Sequence, residues 1–88
     1  MSSISVYKVF FTKSAAKDLE KLNPKTKSKL KRIIQEVLQF TPYVGKKLLG
    51  DLLGNFSYRL SIKDRIIYSV DEEAKAVYIK RASTHYGD

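Results

Sequence analysis

The hydrophobic positions of this chain change period part-way along, and the change predicts its architecture. In Ser5–Phe11 (SVYKVFF) β-branched and aromatic residues crowd together, which reads as a strand. From there the spacing becomes helical. Ala15, Ala16, Leu19 and Leu22 share one face, with Lys17, Asp18, Glu20 and Lys21 turned to water and Thr12 or Ser14 as the cap. Asn23-Pro24 announces a second helix, because Asn caps well and Pro tolerates the first helical position. It is expected over Pro24–Phe40, where Leu30, Ile33, Ile34, Val37 and Leu38 form one core-facing stripe. Thr41-Pro42 ends it, since the residue before Pro avoids the α region. So short a connection predicts an antiparallel helical hairpin.

Residues 42–55 read as a loop with three glycines, pinned to the core by Leu48, Leu49, Leu52 and Leu53. After it the period becomes two. Tyr58, Leu60 and Ile62 alternate with Arg59, Ser61 and Lys63, a half-buried strand closed by a turn at Lys63-Asp64. Arg65–Val70 is the next strand, Asp71-Glu72-Glu73 the next turn and Ala76–Arg81 the last strand. The order β-α-α-β-β-β predicts an α+β fold, a helical hairpin packed on a mainly antiparallel sheet, in one domain spanning 1–88. Local pattern leaves the first strand's partner open.

Composition narrows the function classes. Eighty-eight residues with 43% hydrophobic and 30% charged side chains suit a small globular domain. No Cys is present, which removes thiolate metal sites and disulfides. With neither a signal-peptide pattern nor a long apolar run, a cytoplasmic protein without membrane contact is expected. The net charge of +8 is uneven: residues 1–50 hold 11 basic and 3 acidic side chains, residues 51–88 six of each. A basic half suits a polyanionic partner, although a Lys-rich face also serves solubility alone.

Most catalytic templates fail. There is no Cys nucleophile, no phosphate-binding Gly-rich loop and no Gly-x-Ser-x-Gly elbow, and one His with scattered acids offers no metal site, so no cofactor is expected. What remains is a polar group on the sheet half: Arg59, Arg65, Lys80, Arg81, His85 and Tyr86. Alternation turns Arg59 and Arg65 away from the face the helices cover, an arrangement equally at home on any half-solvated sheet. RNA cleavage without metal needs a base for the 2′-OH proton, an acid for the departing 5′-oxygen and cations for the charge on phosphorus. His85 suits proton transfer, Tyr86 hydrogen bonding or stacking, and the arginines the charge.

Tyr58-Arg59-Leu60, then Arg65-Ile66-Ile67-Tyr68, then His85-Tyr86, set in β-α-α-β-β-β order, resemble the RelE/ParE toxin superfamily, most closely the RelE and YoeB ribosome-dependent mRNA interferases. The resemblance covers nearly the whole chain. It implies a type II toxin that cuts translated mRNA in the ribosomal A site by 2′-OH attack and is neutralised by a cognate antitoxin, expected to be acidic and to govern oligomerisation. The alternatives it leaves are a ParE-like inhibitor of DNA gyrase and an inactive partner-binding relative. By resemblance, Arg65 sits at the scissile phosphate, Arg59 replaces a catalytic lysine, His85 carries acid–base chemistry and Tyr86 adjoins it. Arg81 and Lys80 fall among phosphate contacts. Lys46 stands where YoeB-like toxins carry a glutamate base, so it or Lys47 would stabilise phosphate instead, and Ser61 stands where RelE has a second lysine. Lys25, Lys27, Lys29, Lys31 and Arg32 on the second helix form the surface expected to meet ribosomal RNA.

Overall fold

The computed structural model describes residues 6–50 and 54–84. Its chain order is β1 (Lys8–Phe11), α1 (Lys13–Lys21), α2 (Pro24–Ile33), β2 (Lys46–Lys47), β3 (Asn55–Arg59), β4 (Asp64–Asp71) and β5 (Ala76–Thr84). The five strands form one sheet in the order β1-β5-β4-β3-β2. β1 runs parallel to β5 and every other pair is antiparallel. The first strand's partner is therefore the last strand.

Both helices begin as their sequences dictate. Thr12 caps α1, its Oγ1 accepting from the Ala15 N–H at 3.2 Å and donating to the Lys80 carbonyl. Asn23 caps α2 by accepting from the Thr26 N–H at 2.8 Å, with Pro24 in the first turn. α2 ends earlier than its apolar stripe suggests. After Ile33 the coil widens to a π-helical segment over Ile34–Leu38, closed by Gln39 N–H to Ile34 O and Thr41 N–H to Val37 O.

The core joins the helices to one face of the sheet. Leu30, Ile33 and Leu38 meet Phe56, Leu60, Ile66, Tyr68, Val77, Ile79 and Ala82. A fully buried Leu or Ile of this kind contributes about 1.5–3 kcal/mol. The opposite face carries no helix among the described residues. Ile67 and Ala76 are buried there but lie outside the core cluster, as strand alternation requires.

Several sequence expectations need correction. The third strand lies at Asn55–Arg59, not around Tyr58–Ile62: Leu60 is buried in the core, but Ile62 is 91% exposed in the turn. That turn covers 60–63 and Asp64 already belongs to β4, where its backbone accepts from Leu60 and Ser61 N–H. Leu49 is 80% exposed and does not pin its loop, while Leu52 and Leu53 lie outside the described residues. Within that loop the chain forms a 3-10 turn (Pro42–Val44) and the two-residue β2. Asp18 does not face water: it is buried against β5. Ala16 is exposed.

Candidate active site

The site is built by strand register. Arg59 of β3 lies directly opposite Arg65 of β4, and Arg65 opposite Ser83 of β5. Directly paired residues project to one face, so the two guanidinium groups stand side by side on the helix-free side. The neighbouring row runs Lys46, Ser57, Ile67, Arg81 across β2 to β5. At the usual strand spacing its two cations stand about 14 Å apart, with buried Ser57 and Ile67 as the floor between them. Four cations from four strands thus share one side of the sheet.

A bulge enriches this row. Ile67 pairs with Arg81, but Tyr68 pairs with Ile79, leaving Lys80 as the extra residue of β5. A bulged strand bends and re-aims its side chains, here just where Lys80 and Arg81 follow each other.

The cations differ in their partners. Among the described residues neither Arg59 nor Arg65 forms an ion pair, although like charges directly opposite one another are destabilising. Arg81 donates from Nε to Asp18 Oδ2 at 2.8 Å, and the same oxygen accepts from the buried Ala82 N–H at 3.1 Å. Burial pushes the Asp18 carboxyl up, but the bonds from Arg81 and Ala82 outweigh it and hold it below the usual carboxylate range. Arg81 therefore also fastens α1 to the edge of β5.

Lys46 owes its position to Tyr68. Three residues apart on one strand, Arg65 and Tyr68 point to opposite faces, so the Arg-apolar-apolar-Tyr run serves both. The buried Tyr68 hydroxyl donates to the Pro42 carbonyl at 2.8 Å and accepts from the Gly45 N–H at 3.1 Å. Burial, eased by the Gly45 N–H, raises this phenol to about 12, so it stays protonated and keeps donating. A Cβ at Gly45 would come within 2.4 Å of the Tyr68 oxygen and 2.9 Å of the Ser57 carbonyl, which explains glycine just before Lys46.

A second clasp holds the same loop from outside. Glu72, in the β4–β5 turn, accepts from Tyr7 Oη at 2.7 Å and Tyr43 Oη at 2.6 Å, and pairs with Lys75. The Lys75 ammonium and the two hydroxyls bring the Glu72 carboxyl down to about 2, and the hydrogen bond to Glu72 pushes Tyr43 up to about 12.

Other expected site residues fall elsewhere. Lys47 pairs with Phe56 and lies on the helix side of β2, apart from Lys46. His85 and Tyr86 lie outside the described residues. Ser61 bonds Asp64 within its turn and adds no cation to the row. The helix cations are all exposed, and four of them divide between two cavities. Lys25 and Lys29 border a cavity of about 430 Å³ beside the β3–β4 turn, while Lys27 and Lys31 border an apolar groove of about 370 Å³ with Phe11, Leu19, Leu30 and Ile34. Neither cavity is lined by an arginine of the site. Sequence reasoning missed the Phe10–Tyr78 pair, stacked at 5.5 Å between ring centroids. The available signal was Tyr78 between buried Val77 and Ile79, an aromatic on the outward phase of its strand.

Comparison with known proteins identifies the family and the fold. The family model described as ParE-like toxin of type II bacterial toxin-antitoxin system matches residues 9–87. Among curated proteins no sequence matches the chain closely enough to count as a relative. Solved structures do. A chain of the RelBE2 toxin-antitoxin complex from Mycobacterium tuberculosis is 32% identical, with a TM-score of 0.83 and 97% of this chain and 98% of that one covered. A chain of the intact Escherichia coli RelBE toxin-antitoxin complex is 25% identical, with a TM-score of 0.76 and coverage of 91% and 98%. A chain of the YoeB-YefM complex from Staphylococcus aureus is 28% identical, with a TM-score of 0.63 and coverage of 91% and 98%. By sequence family and by fold, the chain belongs to the ParE-like toxins of type II toxin–antitoxin systems and is a RelE/YoeB-like member of the RelE/ParE superfamily.

Proposed function

We propose that the chain acts as a single domain over 1–88, an endoribonuclease that cuts translated mRNA in the ribosomal A site. The observation that carries this reading is the Arg59–Arg65 pair, two cations held side by side without acidic partners among the described residues. An arrangement that costs stability is expected where a polyanion supplies the missing charge. The 2′-oxygen of one nucleotide attacks the adjacent phosphorus, the bond to the 5′-oxygen breaks, and a cyclic phosphate and a 5′-hydroxyl result. Arg65 holds the phosphate and Arg59 offsets the charge that grows on its oxygens, because a guanidinium suits bidentate contact with phosphate rather than proton delivery. Lys46 and Arg81, with Lys80 at the bulge, flank the strand on either side. By family likeness His85 handles a proton and Tyr86 adjoins it.

Lys25, Lys27, Lys29, Lys31 and Arg32 give the ribosomal RNA a separate surface on the helix side, so one protein would face mRNA and ribosome from opposite sides of its sheet. The related complexes support an antitoxin as the second partner. The charge of +8 suits an acidic one, which would also govern oligomerisation, with the toxin acting in the cytoplasm. Among the described residues no helix is long and apolar enough to cross a membrane. The experiment is induced expression: wild type arrests growth, while Arg65→Ala and His85→Ala variants, shown to be folded, do not. Both variants arresting growth like wild type would refute the assignment. The ParE-like family match favours one second reading, gyrase inhibition, which would appear as lost supercoiling activity with intact mRNA.

A further inference from the structure

The geometry points to a base-stacking site on the helix-free face, formed by Tyr78 and Phe10 beside Ser69, for an unpaired base of the strand whose phosphate lies at Arg59 and Arg65. This deepens the reading above and rests on it. Phe10, Tyr78 and Ser69 lie in one row across β1, β5 and β4. The two rings stack at an interplanar angle of 22° and remain 46% and 37% exposed. With one face of Tyr78 covered by Phe10, its other face is turned toward β4, where the neighbour is only a serine. A larger residue there would fill that space.

The row's place in the sheet favours nucleic acid over an apolar partner. It lies one row beyond Ile67 and Arg81, with Lys80 two residues from Tyr78 on the same strand. From Ser69 to Arg65 is four residues of β4, about 13 Å, which a short stretch of unpaired strand spans. One row farther Lys8 and Asp71 flank Ala76, so the uncompensated positive charge ends there. Exposed aromatics on a sheet beside a basic track are the combination that holds single strands, bases on the rings and phosphates on the cations.

The test is a fluorescence titration with a short 2′-O-methyl RNA, which lacks the attacking hydroxyl, carrying 2-aminopurine and measured at several salt concentrations. Wild-type protein binds with a salt-dependent affinity and quenches the stacked base. Tyr78→Leu binds roughly tenfold or more weakly, loses the quenching and keeps the salt slope. Tyr78→Trp retains both affinity and quenching, which separates stacking from a folding defect. Arg65→Gln lowers the salt slope by about one while bound RNA is still quenched. Unchanged affinity and quenching in Tyr78→Leu would overturn the stacking site and leave the RNA-binding face standing. Absence of any salt-dependent binding by wild type would overturn both. Loss of self-association in Tyr78→Leu with RNA affinity intact would give the face to a second copy and overturn the stacking site.

Discussion

Arg65 and Arg81 occupy neighbouring strands on the same side of one sheet, yet the fold treats them differently. Arg81 has a carboxylate: Asp18 binds its Nε and the Ala82 N–H together, so the ion pair is also a joint between α1 and β5. Arg65 has another arginine opposite it and forms no ion pair among the described residues. A folding requirement explains the first arrangement and works against the second. Arginines on one face therefore divide into a cation the fold uses and a pair it merely tolerates.

The contrast breaks most sharply at Arg65. Arg65→Ala is expected to lower RNA cleavage by about 100-fold or more, the usual cost of losing one donor to a developing oxyanion, while the melting temperature stays level or rises. Cleavage by translating ribosomes and a thermal melt measure the two halves of that statement. Asp18→Ala should do the reverse. Losing its bonds to Arg81 and to the buried Ala82 N–H should cost about 2 kcal/mol in denaturant unfolding, with cleavage by the folded fraction largely kept.

Tyr68→Phe tests whether the far face positions Lys46. Deleting the hydroxyl that joins the Pro42 carbonyl to the Gly45 N–H should cost about 1 kcal/mol and weaken RNA binding through a displaced β2. The smallest effect belongs to the outer clasp. The folded Glu72 carboxyl sits at about 2, below its unfolded value, so its contribution is complete above about pH 5 and is lost as pH falls toward 2. Asp18 is also lowered and adds to the same acid limb. Glu72→Gln should therefore flatten part of the stability change between pH 5 and 2, not all of it. An unchanged profile would show that the clasp does not hold the loop.

These contrasts also show what the sequence made legible. The caps Thr12 and Asn23 and the stripe through Leu30 and Ile33 act locally, and the structure follows them. Arg59 and Arg65 were readable as outward residues because alternation is itself local. Their direct pairing depends on the turn at 60–63, which the period-two run Tyr58-Leu60-Ile62 conceals by continuing through it. β2 is two residues long, too short to show a period, and is defined by Tyr68 and Ser57. An acid on a helix such as Asp18 reads as solvated until a distant strand supplies an arginine and an N–H. The bulge at Lys80 likewise exists only in the pairing of β5 with β4.

On the proposed function, the Arg59–Arg65 pair holds the scissile phosphate of translated mRNA. Primer extension on an mRNA translated in a purified system tests it most directly, comparing wild type with Arg65→Ala and omitting ribosomes as a control. Wild type should give new 5′ ends inside A-site codons, lost without ribosomes and reduced at least 100-fold in the variant. Intact mRNA in the presence of folded wild-type protein, or equal cutting by Arg65→Ala, would contradict it.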